Sequence, residues 1–136
     1  MNPYQKYQQQ YQEQVVNTMT QGEMLIMLYD GAIKQIDIAR SCIAAQQAEE
    51  MDVALEKAEK IVLYLRSILD FRFPVSSNLS KLYDFFNTQM VMASIKKDII
   101  PLDEIRPLLV DLRDTFDQCT KIERNMRNGA AMGSVV

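Results

Sequence analysis

Four stretches of this chain repeat apolar residues at intervals of three and four, a spacing that admits little besides helix. An α-helix turns once in about 3.6 residues, so this rhythm lays apolar side chains along one face. The first stretch carries Leu25, Leu28, Tyr29, Ala32, Ile36, Ala39 and Ile43. The second carries Leu55, Ala58, Val62, Leu65 and Leu69, widened by Ile61 and Ile68. Leu79, Leu82, Tyr83, Phe86, Met90 and Ala93 form the third, and Ile105, Leu108, Leu109, Leu112, Phe116, Cys119 and Ile122 the fourth. No β-type alternation of useful length competes. An all-α, antiparallel four-helix bundle is the simplest way to hide all four stripes.

Proline and glycine, four of each, punctuate these stretches. Thr20 and Glu23 have the spacing of a capping box at the start of the first helix. Gly31 costs about 1 kcal/mol in a helix interior, which predicts a close approach by another backbone, from a neighbouring helix or a ligand. The polar residues 46–50 read as a turn, with Asp52 as N-cap of the second helix. Phe73-Pro74 stops that helix, because a residue before proline is pushed out of the helical region. Ser77 then opens the third. Pro101 ends the next connection, the fourth helix begins near Asp103 or Glu104 with Pro107 in or just beyond its first turn, and Gly129 closes it. The expected organisation is one domain over 1–128, with a leader at 1–19, helices over about 20–45, 52–72, 77–96 and 103–128, and a frayed tail at 129–136.

A chain of 136 residues can bury a core of its own, about 68% of its unfolded surface. It has no histidine, which removes Ser-His-Asp and Cys-His nucleophile arrangements, His-ligated zinc and the Glu-x-x-His pairs of di-iron bundles. A net charge of −3 without a basic face argues against nucleic acid. The apolar runs are too short to span a membrane, and no secretory signal is apparent. Cys42 and Cys119 are isolated, without metal-like spacing, and read as two buried thiols of a cytoplasmic protein. No metal, cofactor or catalytic residue is expected.

The leader differs from the rest. Gln fills positions 5, 8, 9, 10, 12 and 14, while Tyr4, Tyr7, Tyr11 and Val15 recur at three, four and four. So short a helix is marginal alone in water and needs a surface to dock on. It is either a fifth helix packed permanently on the bundle or a detachable lid over an apolar groove, a role that tyrosine suits because its hydroxyl tolerates water. Met24, Met27, Met90 and Met92 lie on or beside the stripes, as core filling or as a surface that repacks around helical ligands.

Three motifs in order carry a resemblance: Leu25-Ile26-Met27-Leu28-Tyr29-Asp30-Gly31-Ala32-Ile33, then Asn78-Leu79-Ser80-Lys81-Leu82-Tyr83-Asp84-Phe85-Phe86, then Ala93-Ser94-Ile95-Lys96-Lys97-Asp98. With the tyrosine-rich leader, they make the chain similar to the flagellar secretion chaperone family FliS from about Tyr4 to about Arg124. It departs from that family's pattern at Thr20-Gln21-Gly22, at Phe71-Arg72-Phe73-Pro74-Val75 and at Ser94. The resemblance implies a cytoplasmic helical bundle that holds the disordered C-terminal segment of flagellin, prevents premature polymerisation and aids export. It also implies that the N-terminal segment occupies part of the client groove when flagellin is absent.

The candidate client-binding residues are Tyr7, Tyr11 and Val15 in the leader, Leu28, Tyr29 and Ile33 in the first helix, and Asn78, Leu79, Leu82, Tyr83 and Phe86 in the third. For Leu28 and Leu82 the competing role is core packing. Tyr29 and Tyr83 could simply cap a buried rim, and Asn78 could cap its own helix. The expected partner is the flagellin C-terminal segment, with other flagellar assembly or export proteins besides, and the expected state is a monomer or weak dimer. Two alternatives stand. One is a homodimeric helical adaptor. The other is a small all-helical mutase-type enzyme, which needs basic residues pointing into the bundle, whereas Arg40, Arg66, Arg106, Arg113 and Lys57 fall beside or opposite the stripes.

Overall fold

The computed structural model describes residues 20–135 together with Pro3, with side chains through Asn128. Among the described residues there are four helices: α1 (Gln21–Ala44), α2 (Ala48–Ser67), α3 (Val75–Lys96) and α4 (Ile100–Val135). Residues 45–47, 68–74 and 97–99 connect them. Helices this long, packed on their chain neighbours through such short connections, must run antiparallel. α1 packs on α2 and α4, and α3 on the same two, so the helices surround the core in chain order with α1 and α3 diagonal.

The four stripes meet in a single core. Tyr29, Ala32, Ile36 and Ala39 of α1, Leu55, Ala58, Val62 and Leu65 of α2, Tyr83, Phe86, Met90 and Ala93 of α3, and Leu102, Ile105 and Leu109 of α4 are all buried. The fourth stripe is covered only in part: Leu108 and Ile122 stay exposed, and so does Cys119, which leaves Cys42 the only buried thiol of the two. α4 has 36 residues against 22 in α3, about 54 Å against 33 Å, so its last turns extend past the helix that would cover them.

Several boundaries differ from expectation, each for a local reason. The Thr20 capping box forms: Glu23 N–H donates to Thr20 Oγ1 at 3.2 Å and Thr20 N–H to Glu23 Oε2 at 3.3 Å. α1 ends with Gln46 in the left-handed region, φ 57°. Gln46 N–H reaches Ile43 O at 3.1 Å and Gln47 N–H reaches Cys42 O at 2.8 Å, the paired bonds of a Schellman motif, here without its usual glycine. That tight closure lets α2 start at Ala48 rather than Asp52. Glu49 and Glu50 occupy its first turn, where carboxylates favour the helix dipole. Asp52 lies a turn inside and accepts from Ser94 Oγ of α3 at 2.7 Å.

α2 stops at Ser67, well before Phe73-Pro74. Ser67 Oγ donates back to Tyr64 O at 2.6 Å, and Asp70 takes the Arg72 backbone N–H and guanidinium, the latter down to 2.6 Å. α3 begins at Val75, two residues before Ser77, with Pro74 in the N-cap position. α4 starts at Ile100, where Asp98 Oδ1 accepts the Ile100 N–H at 3.0 Å. Pro101 is therefore in the first turn of the helix, where a missing N–H costs least, and does not close the connection. Pro107 sits in the helix interior instead. The helix runs through Gly129 to Val135, so Gly129 does not end it. A Cβ built on Gly31 would lie 3.3 Å from Ile61 Cδ1, so the neighbour there is a side chain of α2, not a backbone.

Candidate client-binding surface

A four-helix ring has four outer seams, and this chain treats them unequally. The α1/α4 seam is laced by ion pairs. Glu23–Arg124 (3.3 Å), Asp30–Arg113 (2.9 Å), Asp37–Arg106 (2.7 Å) and Arg40–Asp103 (2.8 Å) descend α1 as they ascend α4. The α1 acids stand seven residues apart, about two helical turns, so all three face the same neighbour. The Arg106 guanidinium hydrogen-bonded to Asp37 holds that carboxyl below the usual range, and Arg40 adds to it. Hydrogen bonding to Asp37 and Asp30 likewise raises Arg106 and Arg113. No large hydrophobic of this seam is exposed among the described residues: Ile26, Ile33 and Val110 are all half-buried.

The α3/α4 seam is the reverse. Leu82, Phe85, Gln89 and Met92 share the α4-facing flank of α3, and Leu108 and Leu112 share the α3-facing flank of α4, as helical spacing requires. Phe85 is 41% exposed and Leu108 38%, while Leu82, Met92 and Leu112 are half-buried. Among the described residues a single polar bond crosses it, from Gln89 Nε2 to Glu104 Oε2 at 2.6 Å. The seam is an apolar groove with one polar rung.

At the end where α1 begins, the groove opens beside a cavity of about 220 Å³, lined by Gln21, Leu25, Leu65, Leu69, Phe73, Val75, Leu79, Tyr83 and Phe116 among others. Phe71, Phe73 and Val75 are largely exposed at this end, as are Ile122 and Met126 on the overhanging part of α4. Beneath lies a diagonal tie: the Tyr29 and Tyr83 hydroxyls hydrogen-bond to one another across the core. Tyr29 also stacks on Phe116, with centroids 5.6 Å apart and planes 21° apart. Burial pushes the ionisation of both tyrosines up, so they stay neutral donors and acceptors.

The expected site residues separate into three groups. Tyr7, Tyr11 and Val15 lie outside the described residues. Tyr29, Tyr83 and Phe86 are buried in the core and can act on a client only from beneath. Leu28 and Ile33 are half-buried, and Ile33 lies between Asp30 and Asp37 on the flank that meets α4, away from the groove. Asn78, exposed, and Leu82, half-buried, belong to the groove, and Leu79 lines the cavity. Phe85, Leu108 and Leu112 were not expected as site residues. Their signal is the helical period itself: Leu108 and Leu112 lie on the fourth stripe, and Phe85 stands three residues after Leu82 of the third.

Arg40, Arg66, Arg106 and Arg113 each hold an aspartate at the surface, so none of them points into the bundle as mutase chemistry would require. Among the described residues no group of His, Cys, Asp and Glu could hold a metal ion, and no helix is long and apolar enough to cross a membrane.

Fold and surface together define a four-helix bundle with one charged seam and an open apolar groove. The sequence profile described as "Flagellar protein FliS" matches residues 3–123. The chain is 35% identical over 129 residues to the flagellar secretion chaperone FliS of Bacillus subtilis, covering 95% of this chain and 94% of that protein. It is 27% identical to the flagellar secretion chaperone FliSB of Pseudomonas aeruginosa, covering 86% and 94%. The figure for the flagellar secretion chaperone FliS of Salmonella typhimurium is also 27%, covering 82% and 85%. The chain belongs to the FliS family.

Proposed function

We propose that this chain is a cytoplasmic flagellar secretion chaperone that holds the C-terminal segment of flagellin as an amphipathic helix in the α3/α4 groove until export. The observation that carries this reading is the contrast between seams: Phe85 and Leu108 stand open to water while α1/α4 is closed by ion pairs. A segment destined for helical packing in a filament has an apolar stripe that self-associates when unpaired. A groove between two helices hides such a stripe by the helix-in-groove mode.

Ordering the client costs about 2–5 kcal/mol or more, which burial at about 25 cal/mol per Å² must exceed together with the loss of translational freedom. Neither nucleotide nor metal has a part in such a cycle. Family membership supports the chaperone role, and the relatives' names support the flagellar client. The leader joins the bundle at Thr20, beside Gln21 and Leu25 of the end cavity, which supports a lid that competes with flagellin for this end of the groove.

The test is calorimetric titration of the full chain with a flagellin C-terminal peptide. Phe85→Asp and Leu108→Glu, both at exposed positions, should each weaken binding about tenfold or more, the equivalent of about 1.4 kcal/mol. Undiminished binding by both variants removes the groove from the reading. No binding by the parent chain removes flagellin.

A further inference from the structure

We propose that the outer face of α1 and α2 is a second docking surface, separate from the α3/α4 groove, and that it takes an amphipathic partner helix with acidic side chains at the middle of its apolar stripe. The two helices build a ladder there. Met27, Gly31, Lys34 and Ile38 descend α1 at intervals of four, three and four, and antiparallel packing sets them across from Tyr64, Ile61, Lys57 and Val53 of α2. Two observations fix the pairing: the Cβ position of Gly31 faces Ile61, and Lys34, Ile38, Val53 and Lys57 line one open cavity of about 540 Å³.

The end rungs are apolar and exposed, Met27 with Tyr64 and Ile38 with Val53. Gly31 keeps the second rung low, so that a helix can approach closely. The third rung sets two ammonium groups on one apolar seam. Neither lysine is in an ion pair among the described residues, whereas Arg40, Arg66, Arg72, Arg106, Arg113 and Arg124 all hold carboxylates. Glu49 and Glu50 border the same cavity, but they stand in the first turn of α2, where the helix's own unpaired N–H groups favour them. Like charges on one seam repel, and a carboxylate set between them from outside relieves that while apolar neighbours exclude water. From Met27 to Ile38 the ladder spans about 16 Å, three turns of a partner helix, with anchors at both ends and the acid between.

Fluorescence anisotropy on the full chain tests this with a labelled synthetic helix of about 18 residues, bearing leucines on either side of two central glutamates, and with its twin carrying lysines there. The acidic peptide should bind, and Lys34→Glu/Lys57→Glu should weaken it about tenfold or more while improving the lysine twin. The same variant should take the flagellin peptide as the parent does. Equal binding of both twins, or binding of neither, overturns the proposal. Competition between flagellin and the acidic peptide also overturns it, because the face would then belong to the client site. A chain that ignores flagellin yet reads the twins by charge leaves this surface standing and sinks the function proposed above.

Discussion

Tyr29 and Tyr83 each bury a hydroxyl, and among the described residues each satisfies it only through the other. A lone buried hydroxyl costs what the bond does not repay, about 1–3 kcal/mol. Tyr29→Phe and Tyr83→Phe should therefore each destabilise the chain by about 1–2 kcal/mol, because each strands its partner's oxygen. The double variant should cost no more than either single one, since it removes both polar atoms while the Phe116 stack persists. Urea denaturation of all four forms closes the cycle, and additive losses would mean that the two hydroxyls are not coupled. Sequence spacing placed both tyrosines on apolar stripes but left open whether their hydroxyls cap a rim. Their meeting depends on α1 and α3 being diagonal, a fact of packing order that no local pattern carries.

At the scale of elements, the α1/α4 seam makes its stability depend on acid. Folding lowers the Asp37 pKa, chiefly through its hydrogen bond to Arg106. A carboxylate so depressed contributes its full stabilisation above its unfolded value and loses it as pH falls through the lower folded value. Asp37→Asn should cost about 0.5–1 kcal/mol at neutral pH, a modest sum because the pair is partly solvated. That difference should vanish in acid below the usual carboxylate range. Thermal melts of parent and variant across pH check the sign, and a gap that widened in acid would contradict it.

The elements themselves were legible because periodicity is a property of the chain. Most of the stripe residues expected in the first three helices are buried, and the others are half-buried. Boundaries were less so. Glu49 and Glu50 looked like turn residues by polarity, yet near a helix start their charge favours helix, and the left-handed Gln46 compresses the turn without a glycine to announce it. The fourth stripe misled in a different way. Its period marks one face of a helix but says nothing of length matching, so Cys119 and Ile122 fall where α3 no longer reaches. The groove was half visible for the same reason: Leu82 and Leu108 lie on the stripes and Phe85 does not, and the three become one surface only once α3 and α4 are set side by side.

For the molecule as a whole, the leader is the component whose role decides how the chaperone would work. Among the described residues the buried hydrophobic side chains run from Tyr29 to Leu109, and the α1 cap is made by Thr20 and Glu23. Removing residues 1–16 leaves all of these in place, so the truncated chain should melt cooperatively within a few degrees of the parent, since a loss of about 1 kcal/mol would already move the midpoint by several degrees. Its flagellin affinity should rise. A leader docked as proposed would have to be displaced before the client enters, and the energy of that docking would be subtracted from the net binding energy. Calorimetry with the flagellin peptide on both forms measures that subtraction directly. Equal affinities would mean that the leader covers nothing the client needs, and a truncated chain that failed to fold would make those tyrosines part of the core. A tighter complex with an unchanged bundle would identify the leader as the element that keeps client binding reversible enough for hand-over.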